Sequence, residues 1–307
     1  MTDMPTRRFG LYVDQWGKSL AQVYEEFAMA DELGFDCAWL SDHLDAPGTP
    51  LLESWTLLAA IAERTKHILI GNLVTSNTFR HPQLLLKEAV TVDHISNGRL
   101  ILGMGTGWEP DEHARYGIDF PAPRERVERL EEAVTLMGLM MSQDRTTFSG
   151  RYYRVTDATL EPSPIQQPRI PILIAAHRPR AIRVAARLAD QWDSYHEMDE
   201  SPTAGWAMPL HEQMAILDEE CRAAGRDPAT IRRSTWTTGE PLESAEAYRE
   251  FAQRHLDLGF TDISVLLPER PSAAVLAEIA RDILPGLRIA TGTDGALSAD
   301  AGGLPAS

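Results

Sequence analysis

Four short runs in this sequence gather side chains able to move a proton or to hold a polar ring. Ser41-Asp42-His43 sets a carboxylate beside an imidazole. Histidine titrates near neutrality and suits proton transfer at a reacting centre, although an Asp-His pair also serves as a cap or loop brace. Leu73-Val74-Thr75-Ser76-Asn77-Thr78, followed by Arg80 and His81, strings small hydroxyl and amide groups along exposed backbone. Such a stretch can wrap the polar edge of a ring system, or form a polar loop with Arg80 in a surface ion pair. Gly103-Met104-Gly105-Thr106-Gly107-Trp108-Glu109 alternates glycines, which admit a ligand close to the backbone or make a tight turn at positive φ. It is not a dinucleotide fingerprint, because Pro110 and an acidic loop stand where a helix with a downstream acidic partner should open. Ala175-Ala176-His177-Arg178-Pro179-Arg180 precedes a helix whose first amides, aided by Arg178 or Arg180, suit a phosphate, or simply face solvent.

Several chemistries are absent. The nine histidines form no HxH or HExxH pattern, and Cys37 and Cys221 belong to no CxxC pair, so no metal and no disulfide framework is expected. GxSxG is missing, which argues against an α/β-hydrolase. A formal charge of −16 repels nucleic acid and anionic membrane over most of the surface. No apolar stretch has the length of a signal peptide or a membrane span. The expectation is a soluble cytoplasmic protein with a small-molecule partner.

Each of the four runs follows a strand-like segment. FGLYVD, FDCAWL, HILIGNLVT, RLILGMG, PILIAA, QWDSY, RRSTWTT and DISVLL read as buried strands. Between them lie amphipathic helices predicted over residues 20–33, 53–64, 82–94, 124–141, 180–189, 207–224, 244–258 and 273–283. Residues 106–123 read as a loop. FSGRYYRV reads as a small hairpin and PSPIQQPRIP as an extended connector, both insertions. Eight strand-helix pairs predict an α/β fold, a (β/α)8 TIM barrel with insertions at the C-terminal ends of the strands, where a barrel carries its ligand site. Residues 1–290 form one domain on this reading, and residues 291–307, rich in Gly, Ala, Ser and Asp, a disordered tail.

The ordered pieces resemble the luciferase-like monooxygenase (bacterial luciferase-like) superfamily over nearly the whole chain. TFRHPQLLLKEAVTVDHISNGRLILGMGTGWEPDEHARYG, from Thr78 to Gly117, is similar to that family's RHP-x-x-L-x-K, D-x-x-S-x-G-R-L and G-x-G-x-GW-x-x-x-E sequence. GFDCAWLSDH, FSGRYYRV, PSPIQQPRIPILIAA and AARLADQWDS support it.

The resemblance implies a flavin or deazaflavin at the strand ends of a barrel, and a homodimer. By position it implies His43 at the reacting face of the cofactor ring and Asp42 orienting ring or histidine. Leu73, Val74 and Thr75 would back the ring, at a place where the family often has a cis peptide. Asn77, Gly105, Thr106, Gly107 and Trp108 would contact ring and ribityl chain, and Ala175, Ala176 and His177 the phosphate. Asp42-His43 looks like the F420-dependent oxidoreductase branch, whereas FMN-dependent monooxygenases often carry Glu-His-His there. The implied activity is hydride transfer between F420 and a small organic substrate, with His43 as proton donor or acceptor. The alternatives are an FMN-dependent monooxygenase and a non-catalytic flavin-binding protein. In F420-dependent glucose-6-phosphate dehydrogenases a glutamate follows GTG directly, whereas here Trp108 does and Glu109 comes after it, which puts sugar-phosphate oxidation in doubt. A glycine pair found at the phosphate site of some relatives is replaced by Ala175-Ala176.

Overall fold

The structure, a computed structural model, describes residues 7–195 and 208–288. The tail over residues 291–307 and the predicted helix start at residue 207 lie outside the described residues. Eight parallel strands close a barrel: β1 (Arg8–Tyr12), β2 (Cys37–Leu40), β3 (Leu69–Asn72), β5 (Leu100–Gly105), β8 (Ile172–Ala175), β9 (Gln191–Asp193), β10 (Arg232–Thr237) and β11 (Asp262–Leu266). A two-residue strand, β4 (Thr75–Ser76), rejoins β5 after β3 has ended, and β6 (Thr146–Ser149) and β7 (Arg154–Ala158) form the separate antiparallel hairpin. Helices α1 (Leu20–Leu33), α2 (Ser54–Arg64), α3 (Pro82–Ser96), α5 (Pro123–Ser142), α6 (Pro179–Leu188), α7 (Leu210–Ala223) and α8 (Ala245–Asp257) cover the outside. After β11 come α9 (Ala273–Glu278), a π-helical turn over Ile279–Ile283 and α10 (Leu284–Arg288). A further short helix, α4 (Pro110–Tyr116), stands where the sequence reads as loop. Glu109 caps its start, Pro110 opens it, and Gly117 ends it in the left-handed region.

Strand alternation sorts side chains into two cores. Phe9, Leu11, Ala38, Leu40, Ile70, Leu102 and Trp192 point outward and pack under the helices, while Tyr12, Cys37, Trp39, Leu73, Ile101 and Leu173 fill the barrel. At the N-terminal ends of the strands the barrel is plugged by charge: Asp262 pairs with Arg8 and with Arg232. The D-x-x-S-x-G-R-L motif also serves this end. Arg99 donates to the Ala62, Thr65 and Ile68 carbonyls, tying down the end of α2, and Asp93 accepts from the amides of Ile165 and Gln166 in the proline-rich connector. These residues build the scaffold and leave the opposite end for chemistry.

Closure requires β3 and β5 to approach tightly. A Cβ on Gly71 would stand 2.3 Å from the Ile101 carbonyl oxygen, and one on Gly103 2.1 Å from that of Asn72. Two glycines of the G-x-G-x-G run thus make room for the protein itself, Gly103 for the Asn72 backbone and Gly105 for the Val74 side chain, which lies 2.6 Å from a built Cβ. Just past this seam, the Leu73–Val74 peptide is cis.

One interior carboxyl has no cation beside it. Asp193, at the end of β9, is buried and accepts from Ser234 Oγ at 2.7 Å. Burial, which disfavours the charged form, pushes its pKa from 3.8 up to about 7.

Two predictions follow from the interior. Gly103→Ala should cost about 1–3 kcal/mol by forcing the seam apart, whereas Gly138→Ala, inside α5 with open space around it, should gain about 0.5–1 kcal/mol. Urea denaturation measures both, and equal midpoints would contradict the seam. Asp193 binds its proton more tightly in the folded chain, so its contribution is present below the unfolded pKa of 3.8 and is lost as pH rises through about 7. The stability difference between wild type and Asp193→Asn should therefore move against wild type from about pH 4 to about pH 7 and level off above it; a constant difference would show that Asp193 is ionised throughout.

Candidate active site

Three strand ends meet at one side of the mouth. β2 delivers Asp42 and His43, the β3–β4 crossover delivers Leu73 to Asn77, and β5 runs out through Gly105 to Trp108. Backbone bonds lock them together, with Leu73 N donating to Leu40 O and Asn77 N to Gly105 O.

The His43 imidazole is held by Glu112, on α4. Its Nδ1 lies 3.0 Å from Glu112 Oε2. Glu112 is fully buried, and its other oxygen accepts from the amides of Leu44 and Asp45, so three donors converge on one carboxylate. Against a carboxylate acceptor Nδ1 carries the hydrogen, which leaves Nε2 with the lone pair in the neutral ring. No described group pairs with Nε2. Two indoles pack edge-on against the same ring, Trp16 at 5.0 Å and Trp108 at 5.6 Å between centroids.

Of the two roles that the resemblance implies for Asp42, orienting ring or histidine, the second is not seen, because its carboxylate makes no contact with His43. Neighbouring residues at a strand end point to opposite sides, and the Asp42 carboxylate is buried against Arg80 Nη1 and Nη2 (2.7 and 3.0 Å), Ser54 Oγ (2.7 Å) and the Ser76 amide (2.9 Å). Arg80 also pairs with Glu53. The Asp42–Arg80 pair is a buried bracket behind β4, and Asp42 fixes that segment through the Ser76 amide. Arg80 itself is not a surface ion pair, having a side chain only 11% exposed.

Along that segment Thr75 Oγ1 and Asn77 Oδ1 are buried with no hydrogen-bond partner, while Asn77 Nδ2 reaches Tyr153 OH at 3.4 Å. Buried polar atoms ordinarily find partners, and these sit on the strand ends where a polar ring edge would supply them. Gly107, at φ +78°, turns the chain so tightly that a Cβ would meet Thr78 Oγ1 and Ser76 Oγ below 3 Å. His113, the residue after Glu112, bridges Thr78 Oγ1 (2.6 Å) and the Glu109 carbonyl (2.6 Å) and packs on Phe79 and Phe120. One turn of α4 thus fastens to the β2 loop through Glu112 and to the β4 loop through His113.

Ala175 ends the neighbouring strand β8, whose Ile174 pairs with Met104 of β5, and Ala176 and His177 follow it. Ala176 offers no spare backbone group: its amide donates to the Asp193 carbonyl and its carbonyl accepts from Trp192 Nε1. The other groups at this strand end are His177 and the first turn of α6, whose N-cap residue makes no side-chain cap hydrogen bond.

Sequence reasoning missed Glu112 and His113 as site residues. The signal for them was local, an acidic residue and proline before, and a glycine after, a seven-residue stretch. Among the described residues no group of three His, Cys, Asp or Glu is placed to hold a metal, and no helix is long and apolar enough to cross a membrane.

The chain is 31% identical to an F420-dependent glucose-6-phosphate dehydrogenase of Intrasporangium calvum, covering 87% of this chain and 95% of that one. It is 30% identical to an F420-dependent hydroxymycolic acid dehydrogenase of Mycobacterium tuberculosis, covering 90% and 75%. Among solved structures, an F420-dependent secondary alcohol dehydrogenase in complex with an F420-acetone adduct superposes with a TM-score of 0.78 at 17% identity, over 92% of this chain and 99% of that one. The F420-dependent tetrahydromethanopterin reductase of Methanopyrus kandleri does so with a TM-score of 0.76 at 16% identity, over the same shares. Residues 4–292 match the luciferase-like monooxygenase family. With a barrel closed as this one is and a match over nearly its full length, the chain belongs to the luciferase-like monooxygenase family.

Proposed function

We propose that His43 is the proton donor or acceptor for hydride transfer between F420 and a small organic substrate, and that Glu112 positions it. The chain is an oxidoreductase and F420 is its cofactor; similar proteins that span nearly its whole length are F420-dependent dehydrogenases. When bound, the deazaflavin ring supplies the hydride acceptor or donor. The protein's own residues bind, orient and move the proton. Leu73 and Val74 back the ring, Thr75 and Asn77 offer it their unpartnered polar atoms, and Gly105 to Trp108 run along ring and ribityl chain. His177 and the first turn of α6 take the phosphate.

The observation that carries this reading is the His43–Glu112 contact. A substrate hydroxyl facing Nε2 can hand its proton there while its carbon gives up hydride, and the reverse step returns the proton. Nδ1 cannot swing into that role without leaving a buried carboxylate short of a donor, so the ring is fixed with Nε2 outward. We take the working unit to be a cytoplasmic homodimer; light scattering reports its mass.

His43→Ala should lower kcat about 10²- to 10⁴-fold while F420 affinity, followed by deazaflavin fluorescence, stays within about threefold. Unchanged turnover would remove His43 from the chemistry. Glu112→Gln keeps an acceptor of the same shape but not its charge, and should lower kcat about 10- to 100-fold with little change in KM; a change confined to KM would make Glu112 a substrate contact instead. Titration of the protein with F420 and, separately, with FMN should give micromolar or tighter binding of F420 only. Preference for FMN would favour a monooxygenase, and binding of neither would remove the cofactor assignment.

A further inference from the structure

The surroundings of His43 carry information about the substrate. Trp16 and Trp108 both pack edge-on against the imidazole, yet they remain 36% and 68% exposed. Trp16 is fixed, its Nε1 donating to Ser41 Oγ at 2.9 Å, and Ser41 is in turn held by the buried Gln15. A fixed indole left open to water beside a reactive nitrogen is apolar surface that a ligand would cover. The charges nearby are acidic: Asp14, Asp45, Glu109 and Asp111 lie on the segments that carry or flank these groups, with Glu112 beneath the ring. The cations close by are already committed, Lys18 to Glu26, Arg80 to Asp42 and Glu53, and Arg115 to Asp45. A phosphate dianion at this place would meet carboxylates and no uncommitted cation among these groups.

We infer that Trp16 and Trp108 are specificity-determining residues that form an aromatic wall for an uncharged, apolar alcohol or the corresponding ketone, and that phosphorylated sugars are excluded. This rests on the proposed role of His43. The step balances within that scheme: the alcohol C–H bond breaks with its electron pair, hydride passes to the oxidised F420, the O–H proton passes to His43 Nε2, and the C–O bond becomes a carbonyl. Apolar substituents of the alcohol lie against the two indoles while its hydroxyl points to Nε2.

The test uses F420-loaded protein with 1-phenylethanol, acetophenone and glucose 6-phosphate as probes. Calorimetric titration with acetophenone should show binding, and initial rates should show oxidation of 1-phenylethanol but not of glucose 6-phosphate. Trp16→Leu should weaken acetophenone binding and raise KM for 1-phenylethanol about tenfold, with kcat within about threefold; Trp108→Ala, whose indole also borders the cofactor run, is first titrated with F420 and then compared at saturating F420, where KM should rise by a similar factor. Trp108 is exposed enough that its removal leaves the fold intact, and far-UV circular dichroism checks the Trp16 variant. Oxidation of glucose 6-phosphate as efficient as that of 1-phenylethanol, no binding of acetophenone, or unchanged KM in both variants would overturn the inference. Failure of F420 itself to bind is a separate result, which removes the cofactor reading and this one with it.

Discussion

The seam between β3 and β5 is the constraint on which the rest of this structure depends. Eight strands close only if these two backbones approach so nearly that neither Gly71 nor Gly103 has room for a Cβ. Beyond the seam β3 cannot continue beside β5; the chain turns through the cis Leu73–Val74 peptide and rejoins β5 as β4. That detour places Thr75 to Asn77 at the mouth of the barrel, beside the end of β2. The crossover segment and His43 thus face a common space because of how the barrel closes.

Two buried carboxylates then divide the work of holding the site. Asp42 faces outward from the mouth, binds Arg80 and the Ser76 amide, and fixes the crossover from behind. Glu112 faces the mouth, gathers the Leu44 and Asp45 amides and His43 Nδ1, and fixes the imidazole from beneath. Both satisfy the rule that a buried charge is tolerated only when several donors surround it. The division also explains why neither end of the Asp42-His43 pair serves the other: consecutive residues at a strand end diverge, and each takes its partner from a different element.

The opposite end of the barrel is built for closure, with Asp262 bound by Arg8 and Arg232 and with Arg99 capping α2. This separation of a charge-sealed floor from the rim lets the mouth carry exposed indoles. Asp193 is a buried carboxyl near the rim, and its upward-shifted pKa follows from that burial, to which the nearby Asp262 adds.

Much of the fold was legible in the chain. The alternation of continuous apolar strands with amphipathic helices dictated eight β/α units, because a parallel strand buried on both faces and a helix buried on one leave different periodicities. The motif from Thr78 to Gly117 marked the strand ends that matter, and His43 could be picked out by its type and place. What the sequence did not decide was partnership. Glu112 stands 69 residues from His43 and meets it only because α4 folds across the mouth; Arg80 reads as a surface residue until Asp42 is brought behind it. The indoles of Trp16 and Trp108 come from segments that share no local pattern, and only barrel closure sets them against one imidazole. Periodicity is a property of neighbours along the chain and survives in the sequence, whereas a hydrogen bond between distant elements is fixed by where closure leaves their ends.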